Sequence, residues 1–262
     1  MRHGVEVLGV DINISSWEAT LEASTGAQPA VRLGLNLIRG MEREAAWRIE
    51  ETRAVWPFNG LHDLGVRAAL DAAQLKLLAS ANALLEISGN RRQAIWNVAG
   101  SVPDRGLLRE AHIVEEELMI APATEGQELV ADYRHMGLTL GRHPLALLRE
   151  RLHAMRFMPA EILNLYDDAR LARGCGLVTV RQRPETAKGV VFLTIEDETG
   201  NVNVIVWPSL LEQQRREVMS ARLLGVYGQW QCANNVRHLV AKRLVDLTHL
   251  LGDLDTRSRN FH

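Results

Sequence analysis

The sequence predicts an α+β multidomain chain, a helical region followed by a five-stranded closed β-barrel, on three observations. Apolar residues recur three and four apart through residues 66 to 156, the period of helices with one buried face. From Gly176 to Thr248 the pattern changes to β-branched runs bounded by turn residues. Within that second stretch the elements fall in the order strand, two-stranded hairpin, helix, strand, strand. This is the order of the oligonucleotide/oligosaccharide-binding barrel (OB-fold), which carries its helix between the third and fourth strands.

Composition narrows the function classes. The chain has 262 residues, 47% of them hydrophobic, enough for a real core in one or two domains. No run of 18 apolar residues exists and the start MRHGVEVLGVDINISS lacks a signal-peptide pattern, so neither a membrane span nor secretion is expected. Cys175 and Cys232 are the only cysteines, too few for a disulfide framework or a zinc site, and fit a reducing cytoplasm. A net charge of −2 rules out a strongly cationic nucleic-acid coat, which leaves local placement of charge to carry any such binding.

Taken in order, residues 1–30 hold VEVLGVDINI and SSWEATLE, read as one strand and a loop too short to fold alone. Residues 31–165 form the predicted helical domain. It opens with Leu33, Leu35, Leu37 and Ile38, a turn at Arg39-Gly40-Met41, and a helical pattern through Ala45, Ala46, Ile49 and Val55 that stops at Pro57. The pattern fits an ordinary helical hairpin with a glycine turn or a helix-hairpin-helix unit, whose backbone N–H groups at a helix N-terminus can face a phosphate without reading a base. The core expected for this domain is Leu70, Leu77, Leu84, Ile95, Trp96, Leu145, Leu148 and Leu152, with a flexible joint at Ala121 to Gly126. Gln74 to Leu78 reads as core of a helix. Ala169 to Cys175 either finishes a helix or extends the first barrel strand. The barrel spans residues 170–250, with its clearest piece the hairpin Val190–Glu196 and Val202–Trp207 around the turn residues Asp197 to Asn201. Pro184 and Pro208 each end a strand, and residues 251–262 are a polar tail.

Catalytic patterns are not found. Asp253/Asp255, Asp167-Asp168 and Glu196-Asp197-Glu198 sit in a tail, at a helix end and in a turn, where acids are favoured locally. Nine scattered histidines offer no metal pair, and neither a phosphate-binding GxxxxGK[ST] loop nor GxGxxG occurs. Binding remains. Arg39 and Gly40 are the candidates at the hairpin; Arg181, Arg183, Lys188 and Arg237 are candidate phosphate contacts on the barrel; Phe192, Trp207, Tyr227 and Trp230 are candidate stacking platforms, each of which could instead be buried core. Alternation along the hairpin puts Phe192 and Thr194 opposite Val191, Leu193 and Ile195, and leaves open which set faces the core.

The stretch VRQRPETAKGVVFLTIEDETGNVNVIVWP resembles the OB segment of bacterial family C DNA polymerase α subunits, most closely their error-prone, damage-inducible relatives. The resemblance extends to Gly34-Leu35, Ile38, Gly40, Arg53, Pro57-Phe58 and Asp63-Leu64, to Tyr133 and His143-Pro144, and to the ending TRSR-x-FH at Thr256 to His262. It implies that residues 1–30 are a remnant of a fingers region, and that single-stranded template and duplex backbone are the ligands. It also implies an intact enzyme acting in translesion synthesis and repair, with magnesium at catalytic aspartates that have no counterpart here. A sliding clamp and an inactive polymerase-like adaptor would be its partners. The competing expectations are a scaffold for a protein partner and an RNA binder.

Overall fold

The structure, a computed structural model, describes residues 4–100 except 25 and 27, 118–254 except 234 and 235, and the backbone of 259–261. The chain forms two compact units, residues 1–140 and 141–262.

In the first unit, β1 (Val7–Leu8), β2 (Thr20–Glu22) and β3 (Ala30–Arg32) make a small sheet in the order β1-β3-β2, three strands where the sequence promised one. The segment does not stand apart. Val10, Ile12 and Leu33 share a core with Leu35, Ile49, Leu64, Leu78 and Leu84. Arg53 donates to the carbonyls of Ile12 (2.8 Å) and Ser15 (2.6 Å), and Asn13 exchanges two hydrogen bonds with the backbone of Phe58. The Arg53 and Pro57-Phe58 positions thus fasten the N-terminal strands to the helices.

The helices are α1 (Arg43–Arg53), α2 (Leu61–Arg67), α3 (Ala72–Ser80), α4 (Leu85–Ser88), α5 (Arg91–Gly100) and α6 (Glu125–His135). The apolar period through residues 66 to 87 carries no mark of where one helix ends and the next begins. Ala69 (φ 47°) and Asn82 (φ 62°) break it, and Asp71 with Gln74 forms a capping box that restarts the chain as α3. Leu75 and Leu78 are buried, in keeping with the core reading of that segment, but Ile95 and Trp96 stand exposed and are not core. Within the segment Ala121 to Gly126, Thr124 is the N-cap of α6 and closes a capping box with Gln127; the division between units falls after Leu140.

The second unit begins with α7 (Pro144–Ala154) and α8 (Ala160–Leu163), so the buried Leu145 and Leu152 belong with the barrel and not with the helical core. Then come β4 (Leu171–Gln182), β5 (Val191–Glu196), β6 (Asn201–Val206), α9 (Pro208–Gln213), α10 (Arg215–Ser220), β7 (Leu223–Ala233), β8 (Val236–Asp246) and β9 (Arg259–Phe261). Strand pairing runs β4-β5-β6-β8-β7 and back to β4, which closes a five-stranded barrel. RLARGC resolves into the first strand. The tail is not free along its length, since the β9 backbone pairs in parallel with Val180 to Gln182 of β4. Val191, Leu193, Ile195, Val204, Val226, Trp230 and Leu239 fill the barrel. The hairpin turn is bound from outside. Asp197 accepts from the Ala160 N–H (2.8 Å) and, with Glu198, from Arg149 of α7.

Candidate nucleic-acid interface

The barrel's outer wall follows from strand register. Residues directly opposite in neighbouring strands share a face, and the pairs Phe192↔Ile205, Ile205↔Val240, Val240↔Gln229 and Gln229↔Leu171 trace one outward row across all five strands. Phe192 is half-buried on this wall. Two residues past Ile205, Trp207 is 53% exposed, held by its place as N-cap of α9 with Pro208 following. The alternation left open by the sequence is thus decided: Val191, Leu193 and Ile195 point inward, Phe192 and Thr194 outward.

The β4–β5 loop brings cations to the same end. Arg183 and Lys188 are exposed, Lys188 in a left-handed conformation (φ 50°) followed by Gly189 (φ 85°), where an added Cβ would lie 3.6 Å from Pro208 Cγ. A pocket below the loop, lined by Arg183, Val191, Pro208, Leu211, Arg215 and Met219, was not anticipated; its residues are far apart in sequence. Arg237 is exposed on β8 opposite Cys232.

Two sequence candidates take other roles. Arg181 is buried, and its guanidinium donates to the carbonyl of Val218 (2.9 Å) and to that of Ala221, satisfying the open C-terminal end of α10. Burial pushes its pKa below the usual arginine value. The cause of the inversion is a bulge in β4 between Val178 and Val180, which shifts the alternation by one so that Arg181 lies opposite inward-facing Leu193. Trp230 is 1% exposed and lies opposite buried Leu239, so it is a core residue and not a stacking platform.

At the hairpin, Gly40 adopts φ 83°, which a side chain rarely takes, and makes the tight turn into α1. Arg39 is exposed, but its main-chain N–H donates to His135 (2.8 Å) and its guanidinium to the Arg134 carbonyl (2.9 Å), at the C-terminal end of α6. Glu42 is the N-cap of α1 and Glu44 lies in its first turn, so two acidic residues stand near the positive end of the helix, although Glu42 makes no side-chain cap bond and accepts from Gln74 Nε2 (3.2 Å). Among the described residues no three histidine, cysteine, aspartate or glutamate side chains gather to hold a metal.

A closed barrel with an exposed tryptophan beside its outer wall and an arginine and a lysine on the adjoining loop is a nucleic-acid-binding architecture. Residues 175–247 match the OB-fold nucleic acid binding domain, and residues 4–94 match the helix-hairpin-helix motif. Along its whole length the chain is 55% identical over 268 residues to the error-prone DNA polymerase of Bordetella parapertussis, covering 26% of that protein. It is 55% identical over 267 residues to that of Ralstonia nicotianae and 52% over 266 to that of an Azoarcus species, covering 25% of each. The chain is similar along its whole length to error-prone DNA polymerases and spans about a quarter of the length of the curated relatives it matches. No helix among the described residues is long and apolar enough to cross a membrane.

Proposed function

We propose that this chain is the C-terminal, DNA-holding portion of an error-prone DNA polymerase, with the reaction centre on polypeptide outside it. Single-stranded template lies across the outer barrel wall, bases stacking at Trp207 and Phe192 while Arg183 and Lys188 meet phosphates. The intact enzyme extends DNA past damage in translesion synthesis and repair, in company with a sliding clamp and an adaptor protein. The observation that carries this reading is Trp207, a large aromatic 53% exposed beside a row of outward apolar residues at the end of the barrel where the loop cations stand.

The test is fluorescence anisotropy of the purified chain with labelled oligothymidylate. Affinity should fall steeply with salt, and Trp207→Ala should weaken it about 10-fold, one stacked base contributing about 1–3 kcal/mol. Salt-insensitive binding, or an unchanged affinity in Trp207→Ala, overturns the proposal. Competition by RNA of equal length at equal strength would favour an RNA ligand instead.

A further inference from the structure

A second set of cations stands on the β4–β7–β8 wall, away from the β4–β5 loop. Arg173 lies directly opposite Tyr227, and Tyr227 directly opposite Arg243, so three outward positions on three adjacent strands line up. Both guanidiniums lie over the Tyr227 ring, 5.1 Å and 5.4 Å from its centroid. The ring is held from below by buried Phe157, edge-on at 5.4 Å. A β-bulge adds a third charge. The register between β7 and β8 slips after Tyr227, so Lys242 is the extra residue and both Lys242 and Arg243 face solvent instead of alternating. Gly228 makes this possible, because a Cβ there would fall 2.1 Å from the Val240 carbonyl oxygen.

Among the described residues none of these three cations makes an ion pair. Two guanidiniums over one ring, with the exposed Lys242 beside Arg243 in the bulge, repel unless an anion sits among them, and exposed cation–π contacts offset little of that. Arginine forks match phosphate oxygens bidentately. The row Leu171, Gln229 and Val240, next along the same strands, leads from this cluster toward Ile205 and the Trp207 wall.

We infer that Arg173, Lys242 and Arg243 around Tyr227 form a second phosphate-binding site, which takes the backbone of the same DNA strand after it leaves the Phe192–Trp207 wall. This rests on the barrel binding single-stranded DNA as proposed above.

The experiment compares the full chain with Arg173→Gln/Arg243→Gln and Arg173→Lys/Arg243→Lys variants, titrating salt against a labelled 30-nucleotide oligothymidylate. The glutamine variant should lose on the order of 10-fold in affinity at low salt and flatten the log–log salt slope by about 1.4, two contacts at about 0.7 each. The lysine variant should keep a slope near wild type, and both should unfold at the wild-type temperature because the replaced groups are exposed. If the wild-type chain binds and Trp207→Ala weakens it, yet the glutamine variant keeps wild-type affinity and slope, the second site is wrong and the proposed function stands. If the wild-type chain shows no salt-dependent binding, both fall.

Discussion

Trp230 offers the sharpest separation of a core role from a binding role. It is 1% exposed inside the barrel, and its indole Nε1 has no hydrogen-bond partner. A fully buried tryptophan removes about 150–250 Å² from water, and truncation to alanine adds a cavity to the lost transfer energy, together costing about 3–5 kcal/mol. Replacement by phenylalanine removes less volume and also removes an unsatisfied donor, whose burial costs about 1–3 kcal/mol. Trp230→Phe should therefore lose no more than about 1.5 kcal/mol. In a unit of about 120 residues each kcal/mol moves the midpoint by about 3–5 °C, so Trp230→Ala should lower the barrel's thermal transition by about 10–20 °C and Trp230→Phe by only a few degrees. Circular dichroism through the melt reads both, with oligothymidylate affinity measured below the transition. The reasoning fails if Trp230→Ala melts with wild-type protein and instead binds DNA more weakly, because the side chain would then be a platform and not a strut.

Arg181→Met should destabilise the barrel by about 1–3 kcal/mol, since two α10 carbonyls lose their donor, and leave the salt slope of DNA binding intact; Arg183→Gln should flatten that slope and leave stability alone. Urea melts and salt titrations of the pair would expose a misassignment as exchanged outcomes. Gly228→Ala should cost more than about 3 kcal/mol, because a methyl 2.1 Å from the Val240 carbonyl forces β7 and β8 apart; a wild-type melting temperature would contradict the bulge geometry. His143 caps α7 by accepting the Leu145 N–H at Nδ1 (3.2 Å), and burial, only partly opposed by the nearby Glu196, Glu198 and Asp197, holds its pKa below the ordinary 6.5. The unfolded chain therefore takes up the proton first as pH falls, so stability should decline below about pH 6.5, and His143→Asn, a cap that does not titrate, should remove that part of the decline. Denaturant midpoints measured between pH 5 and 8 decide it; identical profiles for both proteins would refute the assignment.

The strand order of the barrel, its hairpin and the Gly40 turn were legible in the chain because each rests on local chemistry. β-branched runs, a turn of Asp, Thr, Gly and Asn, and a glycine at positive φ specify themselves within a few residues. Pro208 at the first turn of α9 belongs to the same class, whereas the exposure of Trp207 before it does not. What failed in the sequence reading failed where register or distant packing decides. Arg181 and Trp230 both looked like ligand residues by type. A bulge one residue long turned the first inward, and the partner strand's Leu239 claimed the second for the core. The apolar period could not show Ala69 and Asn82 turning the chain, nor could it assign α7 to the barrel, which depends on Arg149 reaching the Asp197-Glu198 turn 48 and 49 residues away. The grouping of Arg173 with Lys242 and Arg243 likewise exists only once β4, β7 and β8 are side by side. Sequence alone determined which segments are strands and turns, since those preferences are local. Which face of each strand meets solvent, and so which side chains can touch a nucleic acid, was decided only by tertiary structure, because barrel closure and bulges set that phase through contacts between residues far apart along the chain.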